Sequence, residues 1–313
     1  MYLNGSVLSV VLTLHSLELS QMSIYPAFIF GTVAYLIILI CNLTIVVTIC
    51  ENRNLHKPMY ILLLNLPIND AVGATSLFPQ LLYSIWSQDR SISYPACLFQ
   101  GFIIHMYGGA SHVILTAMAF DRYIAICFPL RYGAIMTTNN LVRIISVMWL
   151  LHFIIKLVLF CLLMPYKICQ TYMADLVCYN PSLMKIMCED TTVNNIYGLF
   201  TLNLYHCISL SVVAFTYIHI LITCVTNKQS DTKIKALQTC GTHLVVFLFL
   251  EFNTFFPLIA HRTESVPAHL RRVFSISILV FPPIVNPLIY GFKTKEIRQK
   301  IVTCLKRKRN SVR

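Results

Sequence analysis

Seven apolar runs, separated by short polar stretches, make up most of the chain, and each is about as long as a bilayer-crossing helix. About 20 mostly apolar residues cover roughly 30 Å of hydrocarbon. Inside lipid every backbone N–H and C=O must find a partner within the protein, which makes helices the spanning form for runs of this length. The runs are Tyr25–Ile49, Pro58–Trp86, Cys97–Ile126, Leu141–Met164, Asn195–Val225, Lys235–Ala260 and Leu270–Phe292. The second, third and seventh also carry polar residues, as a bundle lining a cavity requires. The expected fold is therefore an all-α membrane protein. It has an extracellular N-terminal tail over 1–24, a seven-transmembrane helix bundle over 25–292, and a cytoplasmic basic tail over 293–313 with a short amphipathic eighth helix. Composition excludes the rival classes. The chain is 57% hydrophobic and 12% charged, against about 25% charged residues in soluble domains. A soluble enzyme, a disordered chain and a disulfide-stapled secreted module are all ruled out.

Orientation follows from Lys and Arg. None precedes Arg53. With the N-terminus outside, seventeen of these residues fall on the inner side and six on the outer side, with Lys156 inside the fourth run. That asymmetry fits the positive-inside rule. The net charge of +12 thus has a topological cause, and nucleic acid is not a partner. The apolar stretch Val7–Leu14 has no basic residue before it, unlike a signal peptide, and is read as part of an uncleaved outer tail. Asn4 heads a glycosylation sequon on the lumenal side, whereas the sequon at Asn42 lies within the first run.

The twelve cysteines divide by compartment. Cys97, Cys169, Cys178 and Cys188 fall on the oxidising outer side and can form two bridges. Four cysteines allow three pairings, all open at this point. Most of the others read as small apolar fillers. Cys304 differs, because it adjoins Lys306-Arg307-Lys308-Arg309 just past the last run. It is a palmitoylation candidate, and the basic run suits anionic membrane lipid.

Ionisable groups at membrane depth are costly and so mark candidate sites. Asp70, Asn42 and Asn286 sit at similar depth in three runs and can form a hydrogen-bonded polar centre, or simply a satisfied packing network. Asp121-Arg122-Tyr123 closes the third run at its inner end. The five-donor fork of an arginine can hold a carboxylate in one state and backbone carbonyls in another. Pro287 removes a backbone donor in the seventh run, and a neighbouring helix must satisfy the carbonyl it frees. Glu251, in the outer half of the sixth run, must be neutral or paired with a cation. A ligand amine is one partner, and His105 or His112 are internal ones. The third run also offers Gly108 and Gly109, which permit close approach. The fifth offers Thr201, Asn203, Tyr205 and His206. Together these read as the wall of a ligand cavity, and each taken singly reads as helix packing. No phosphate loop, HExxH, GxSxG or paired metal motif occurs. Neither a cofactor, a metal nor an enzymatic activity is expected.

Local motifs point to a family. Leu55-His56-Lys57-Pro58-Met59-Tyr60, Met118 through Cys127, Pro129-Leu130-Arg131-Tyr132, Lys235 through Leu244 and Pro283 through Tyr290 resemble the signatures of odorant receptors of the rhodopsin-like class of G-protein-coupled receptors. The resemblance runs from Asn42 to about Arg298. It implies a small-molecule odorant as ligand and a heterotrimeric G protein of the stimulatory olfactory type as partner, with a rise in cyclic AMP. It implies a coupling switch made of Asp121, Arg122, Tyr123, Tyr217, Asn286, Pro287 and Tyr290. It also implies pairing of Cys97 with Cys178 and of Cys169 with Cys188. The ligand-binding candidates are His105, Gly108, Gly109, His112, Thr201, Tyr205 and Glu251.

The chain departs from the family pattern at Glu251, where an aromatic residue is usual. That departure hints at a polar or amine-bearing ligand. The inner end of the sixth run carries Lys233 and Lys235 in place of an acid, so Arg122 has no carboxylate to lock onto there. The alternatives are a non-olfactory rhodopsin-like receptor for a small ligand and, from another class, a small membrane transporter.

Overall fold

The computed structural model describes residues 10–17, 19–226, 230–262, 266–294 and 296–303, with backbone alone at 230–239, 257–262, 268 and 292. Asn4, Cys304 and the basic run 306–309 lie outside the described residues. Among the described residues there are seven long helices. They are α1 (Gln21–Glu51), α2 (Pro58–Ser87), α3 (Tyr94–Cys127), α4 (Thr138–Cys161), α5 (Thr192–Thr226), α6 (Ser230–Arg262) and α7 (Ala268–Lys293). Six are long and apolar enough to cross a membrane, and the described apolar part of α6 is the shorter stretch Cys240–Phe256.

The helices begin where local chemistry favours it. Ser93 caps α3 by accepting from the Ala96 N–H, and Thr137 caps α4 by accepting from Asn140. Pro58 opens α2 at a position where its missing N–H costs nothing. Most of the helices run past the apolar runs at both ends, because polar residues cap and extend them. The fourth is displaced. It starts at Thr138 and ends at Cys161, and Leu162–Met164 form a turn instead of helix. Pro165 follows, and a residue before proline avoids the helical region.

Within the bundle α3 is central, packing against α2, α4, α5 and α6, while α1 packs on α2 and α7. Among the described residues the interior holds three apolar clusters. One, between the middle of the bundle and the Asp121 end, includes Leu62, Leu66, Leu115, Met118, Phe247 and Ile220. A second, built on Ile38, Leu77, Phe78, Tyr107 and Leu279, fills the α1–α2–α3–α7 side. The third lies under the opposite end and includes Leu12, Tyr94, Phe160, Met173 and Leu183. The outward faces are apolar too: Phe30, Leu43, Val142, Leu150, Phe200 and Val225 are all exposed. A helix apolar on every side suits a lipid environment. Hydroxyls on these faces bond back to their own helix, as Thr44 does to the Ile40 carbonyl.

One end of the bundle is covered by a lid that the apolar runs do not announce. Val11–Thr13 pairs antiparallel with Ser91–Ser93, and Thr13 also exchanges backbone hydrogen bonds with Thr171 and Met173. Residues 10–15 are thus woven into the α2–α3 and α4–α5 connections. Disulfides Cys97–Cys178 and Cys169–Cys188 staple that connection to α3 and to itself. At the other end residues 296–303 are helical, with Ile297 and Ile301 against the core and Arg298 and Gln299 exposed.

Candidate functional site

Beneath the lid lies a cavity of about 460 Å³, within the roughly 300–1,000 Å³ usual for small-molecule sites. Its walls come from α3, α4, α5, α6 and α7, and its roof from Val177 and Tyr179 beside the Cys97–Cys178 bridge. Gln100 fixes that roof. Its amide donates to the Ser76 carbonyl at 2.8 Å, and its oxygen accepts from the Cys178 N–H at 2.9 Å.

His105, Gly108, Gly109, His112 and Tyr205 line the cavity, whereas Thr201 and Glu251 do not. Thr201 is buried, and its hydroxyl donates to the Gly198 carbonyl. Glu251 is spoken for by protein. Its Oε2 pairs with His206 Nδ1 at 2.5 Å, and its Oε1 accepts from Ser209 at 2.8 Å and lies 3.5 Å from His112 Nε2. Of the two internal partners expected for Glu251, His112 is near and His105 is elsewhere. His105 Nε2 accepts from the Asn180 N–H at 3.2 Å and so anchors the lid.

Lys156, on α4, is the cavity residue whose part was not foreseen, although a lysine inside an apolar run was itself the signal. It is 4% exposed, and its ammonium stands 4.5 Å over the Tyr205 ring. Among the described residues no carboxylate pairs with it. His152 props this wall. Its Nε2–H donates to the Met106 carbonyl at 2.8 Å, which leaves Nδ1 to accept from the Tyr205 hydroxyl at 2.6 Å. Gly109 makes room for that ring, because a Cβ there would strike His152. Outside the membrane-depth segments, Asp190 at the cavity rim is held below the usual carboxylate range by hydrogen bonds from the Thr192 side chain and backbone.

A polar layer lies between the cavity and the far end. Asp70 Oδ2 accepts from the Asn286 amide at 2.9 Å. Asn42 belongs to the same layer but does not touch the carboxylate. Its amide donates to the Pro283 carbonyl at 2.8 Å. That carbonyl is the one that Pro287, four residues on, leaves without a donor. Tyr107 does the same for Pro282 by donating to the Ile278 carbonyl at 3.0 Å. Asn69 ties α2 to α3 through the Tyr107 carbonyl and the Ser111 hydroxyl.

At the end opposite the lid, the Asp121 carboxylate is fully buried. It accepts from Arg122 Nη2 at 3.1 Å and from the Tyr132 hydroxyl at 2.8 Å. Burial and the Asp121 charge push the Tyr132 phenol above its ordinary range. Tyr217 donates to the Cys240 carbonyl at 2.8 Å and accepts from His243 Nδ1 at 2.9 Å, linking α5 to α6. Among the described residues, the Tyr290 hydroxyl and Arg122 Nε are buried without a partner. Tyr123 stacks edge-on against Phe128, Phe215 and His219 and has no direct part in the Asp121 pair.

Comparisons with known proteins bear on the fold and the family. A family signature described as olfactory receptor matches residues 31–308. Human olfactory receptor 52A5 is 36% identical over 273 residues, covering 86% of this chain and 86% of that one. Human olfactory receptor 52J3 is 32% identical over 270 residues, with the same shares. Squid rhodopsin superposes with a TM-score of 0.74 at 16% identity, over 92% of this chain and 87% of that one, which is a likeness of fold. With a signature covering most of its length and relatives matched nearly end to end, this chain belongs to the olfactory receptor family.

Proposed function

We propose that the chain crosses the membrane seven times, binds a small odorant in the cavity under the lid, and activates a heterotrimeric G protein at the Asp121 end. The observation that carries the reading is the cavity itself: roofed in part by a stapled lid, sized for a small molecule and walled by the helix that carries Asp121-Arg122-Tyr123 near its other end. The lid end is outside, in keeping with its two disulfides and with the Lys and Arg excess on the other side. The segment before α1 is then extracellular. The tail after 293 is cytoplasmic, its helical turns 296–303 being a short eighth helix lying along the membrane.

Signalling is a population shift. An agonist must bind the active bundle more tightly than the resting one, and moving from 1:99 to 99:1 takes about 5.5 kcal/mol of differential binding. The resting bundle holds Arg122 to Asp121, and Tyr217 to the Cys240 carbonyl and His243. Separation of the inner ends of α3, α5 and α6 would free Arg122 for a G-protein helix. Asn42, Asp70, Asn286, Pro287 and Tyr290 form the layer through which the two ends communicate, because α7 is irregular there and is held by side chains from α1, α2 and α3. The G protein is of the stimulatory olfactory type, and cyclic AMP rises.

The cavity polarity refines the ligand class. Glu251 is occupied by His206 and Ser209, while among the described residues no carboxylate pairs with Lys156. A ligand with an acceptor or anionic group fits these walls better than the amine that Glu251 alone suggests. The test is cyclic AMP in cells carrying an olfactory-type G protein, challenged with acids, amines, amino acids and neutral volatiles, with an N-terminal tag to verify surface display. A response confined to acceptor-bearing compounds and lost in Lys156→Met supports the refinement. A response to amines retained in Lys156→Met contradicts it.

A further inference from the structure

His112 on α3, His206 on α5 and Glu251 on α6 converge just beneath the cavity, their donor atoms all within 4.8 Å of one another. We propose that these three side chains form a binding site for a divalent transition-metal ion of the zinc class. No sequence motif announces it, because the donors come from three separate helices.

The donor set is right for zinc, which takes two imidazoles and a carboxylate readily and leaves a fourth position for water. Bonds of about 2.0–2.2 Å around a tetrahedral ion place donors roughly 3.4 Å apart, and His112 Nε2 lies 3.5 Å from Glu251 Oε1. The hydrogen-bonding around the cluster has the form that metal sites need. A carbonyl can only accept, so His112 Nδ1, 2.9 Å from the Gly108 carbonyl, must carry a proton. That fixes the tautomer with the Nε2 lone pair turned toward Glu251, as outer partners do for ligating histidines. The Ser209 hydroxyl holds the carboxylate in the same way.

The contact between His112 and Glu251 also sets two acceptors against each other. In the neutral ring the His112 Nε2 lone pair lies 3.5 Å from Glu251 Oε1, two acceptors opposed, with the Thr254 hydroxyl 3.3 Å from the same nitrogen. His206 is 95% buried, and binding through Nδ1 would leave its Nε2 as it stands, without a partner among the described residues. A buried group without its partner is costly, and a cation among the three donors answers the opposed lone pairs. On binding, the proton between His206 Nδ1 and Glu251 Oε2 leaves to solvent, and the freed His206 Nδ1 joins His112 Nε2 and the Glu251 carboxylate on the metal, so uptake releases a proton. His112 lines the cavity, which supplies the entry path. The ion would cross-link α3, α5 and α6 at one level, and it stands independently of which odorant the cavity accepts.

The test uses the purified full-length receptor, stripped of metal by a chelator and titrated with zinc chloride. Wild type should retain one zinc after desalting and melt at a higher temperature with zinc than without. Cobalt in place of zinc should give the visible bands of a tetrahedral ion. His112→Gln, His206→Gln and Glu251→Gln should each weaken zinc at least tenfold, while the exposed His219→Gln keeps the wild-type affinity. Each variant is compared with its own metal-free midpoint. Should Glu251→Gln not fold, the two histidine variants carry the test, since both keep the carboxylate. Folded wild type that retains no zinc, or an equal zinc shift in wild type and in the double His112→Gln/His206→Gln variant, overturns the site. Neither readout involves odorant or G protein, so its failure leaves the receptor reading untouched.

Discussion

Two neighbouring glycines on α3 have opposite tolerances. A Cβ on Gly109 would collide with the His152 ring, which is pinned by the Met106 carbonyl and the Tyr205 hydroxyl and cannot yield. A Cβ on Gly108 meets nothing nearer than Ile278 at 3.8 Å. Gly109→Ala should therefore cost about 1–3 kcal/mol of overpacking and lower both surface display and melting temperature, while Gly108→Ala should leave both unchanged. Equal behaviour of the two in a thermal-shift assay would contradict this packing. Tyr132 offers a second check. Tyr132→Phe strips one donor from the buried Asp121 carboxylate and should lower stability by about 1–3 kcal/mol, read as a lower melting temperature. What was legible at this scale was residue type. A glutamate and a lysine inside apolar runs are conspicuous on cost alone. Of the partners, only His112 beside Glu251 was named from sequence; His206 and Tyr205 were not, since they arrive from another helix and only packing decides which side chains meet.

Among the elements, α7 shows most directly how sequence becomes geometry. Pro282 and Pro287 each withdraw a backbone donor, and two other helices supply replacements: Tyr107 for the Ile278 carbonyl and Asn42 for the Pro283 carbonyl. The need for such replacements follows from proline chemistry alone. Their source does not, because it depends on the rotation of α1 and α3 about their axes. A double-mutant cycle tests the pairing. Asn42→Ala should cost about 1–3 kcal/mol in the wild-type background. It should cost clearly less beside Pro287→Ala, where a backbone N–H is restored, and the non-additivity is the measured quantity. Strictly additive losses in melting temperature would mean that Asn42 acts elsewhere. The displaced α4 is the other lesson at this scale. Leu162–Met164 are as apolar as the helix before them, but Pro165 ends the helix sooner than hydropathy does.

Taken whole, the molecule is a multi-pass membrane protein of the olfactory receptor family, a signalling receptor and not an enzyme. Its apolar exterior and its all-helical fold could be read from the seven runs, and its family from a few local motifs. The lid could not. Val11–Thr13 pairs with Ser91–Ser93 through backbone groups, three residues a side, too short to leave a period in the sequence. Cys178→Ser is expected to release the cavity roof from α3, lowering surface display and agonist potency together. Wild-type potency in that variant would show the bridge to be dispensable.

The central claim is that a ligand in the lidded cavity is coupled to Arg122 at the far end of α3. Its most direct test is the dose–response of one agonist by cyclic AMP, at matched surface display, for wild type, Gly108→Leu and Arg122→Ala. Gly108→Leu fills the cavity and should shift the half-maximal concentration at least tenfold, about 1.4 kcal/mol, with the maximum kept. Arg122→Ala should abolish the maximum. An unshifted curve for Gly108→Leu, or a full response from Arg122→Ala, would contradict the claim.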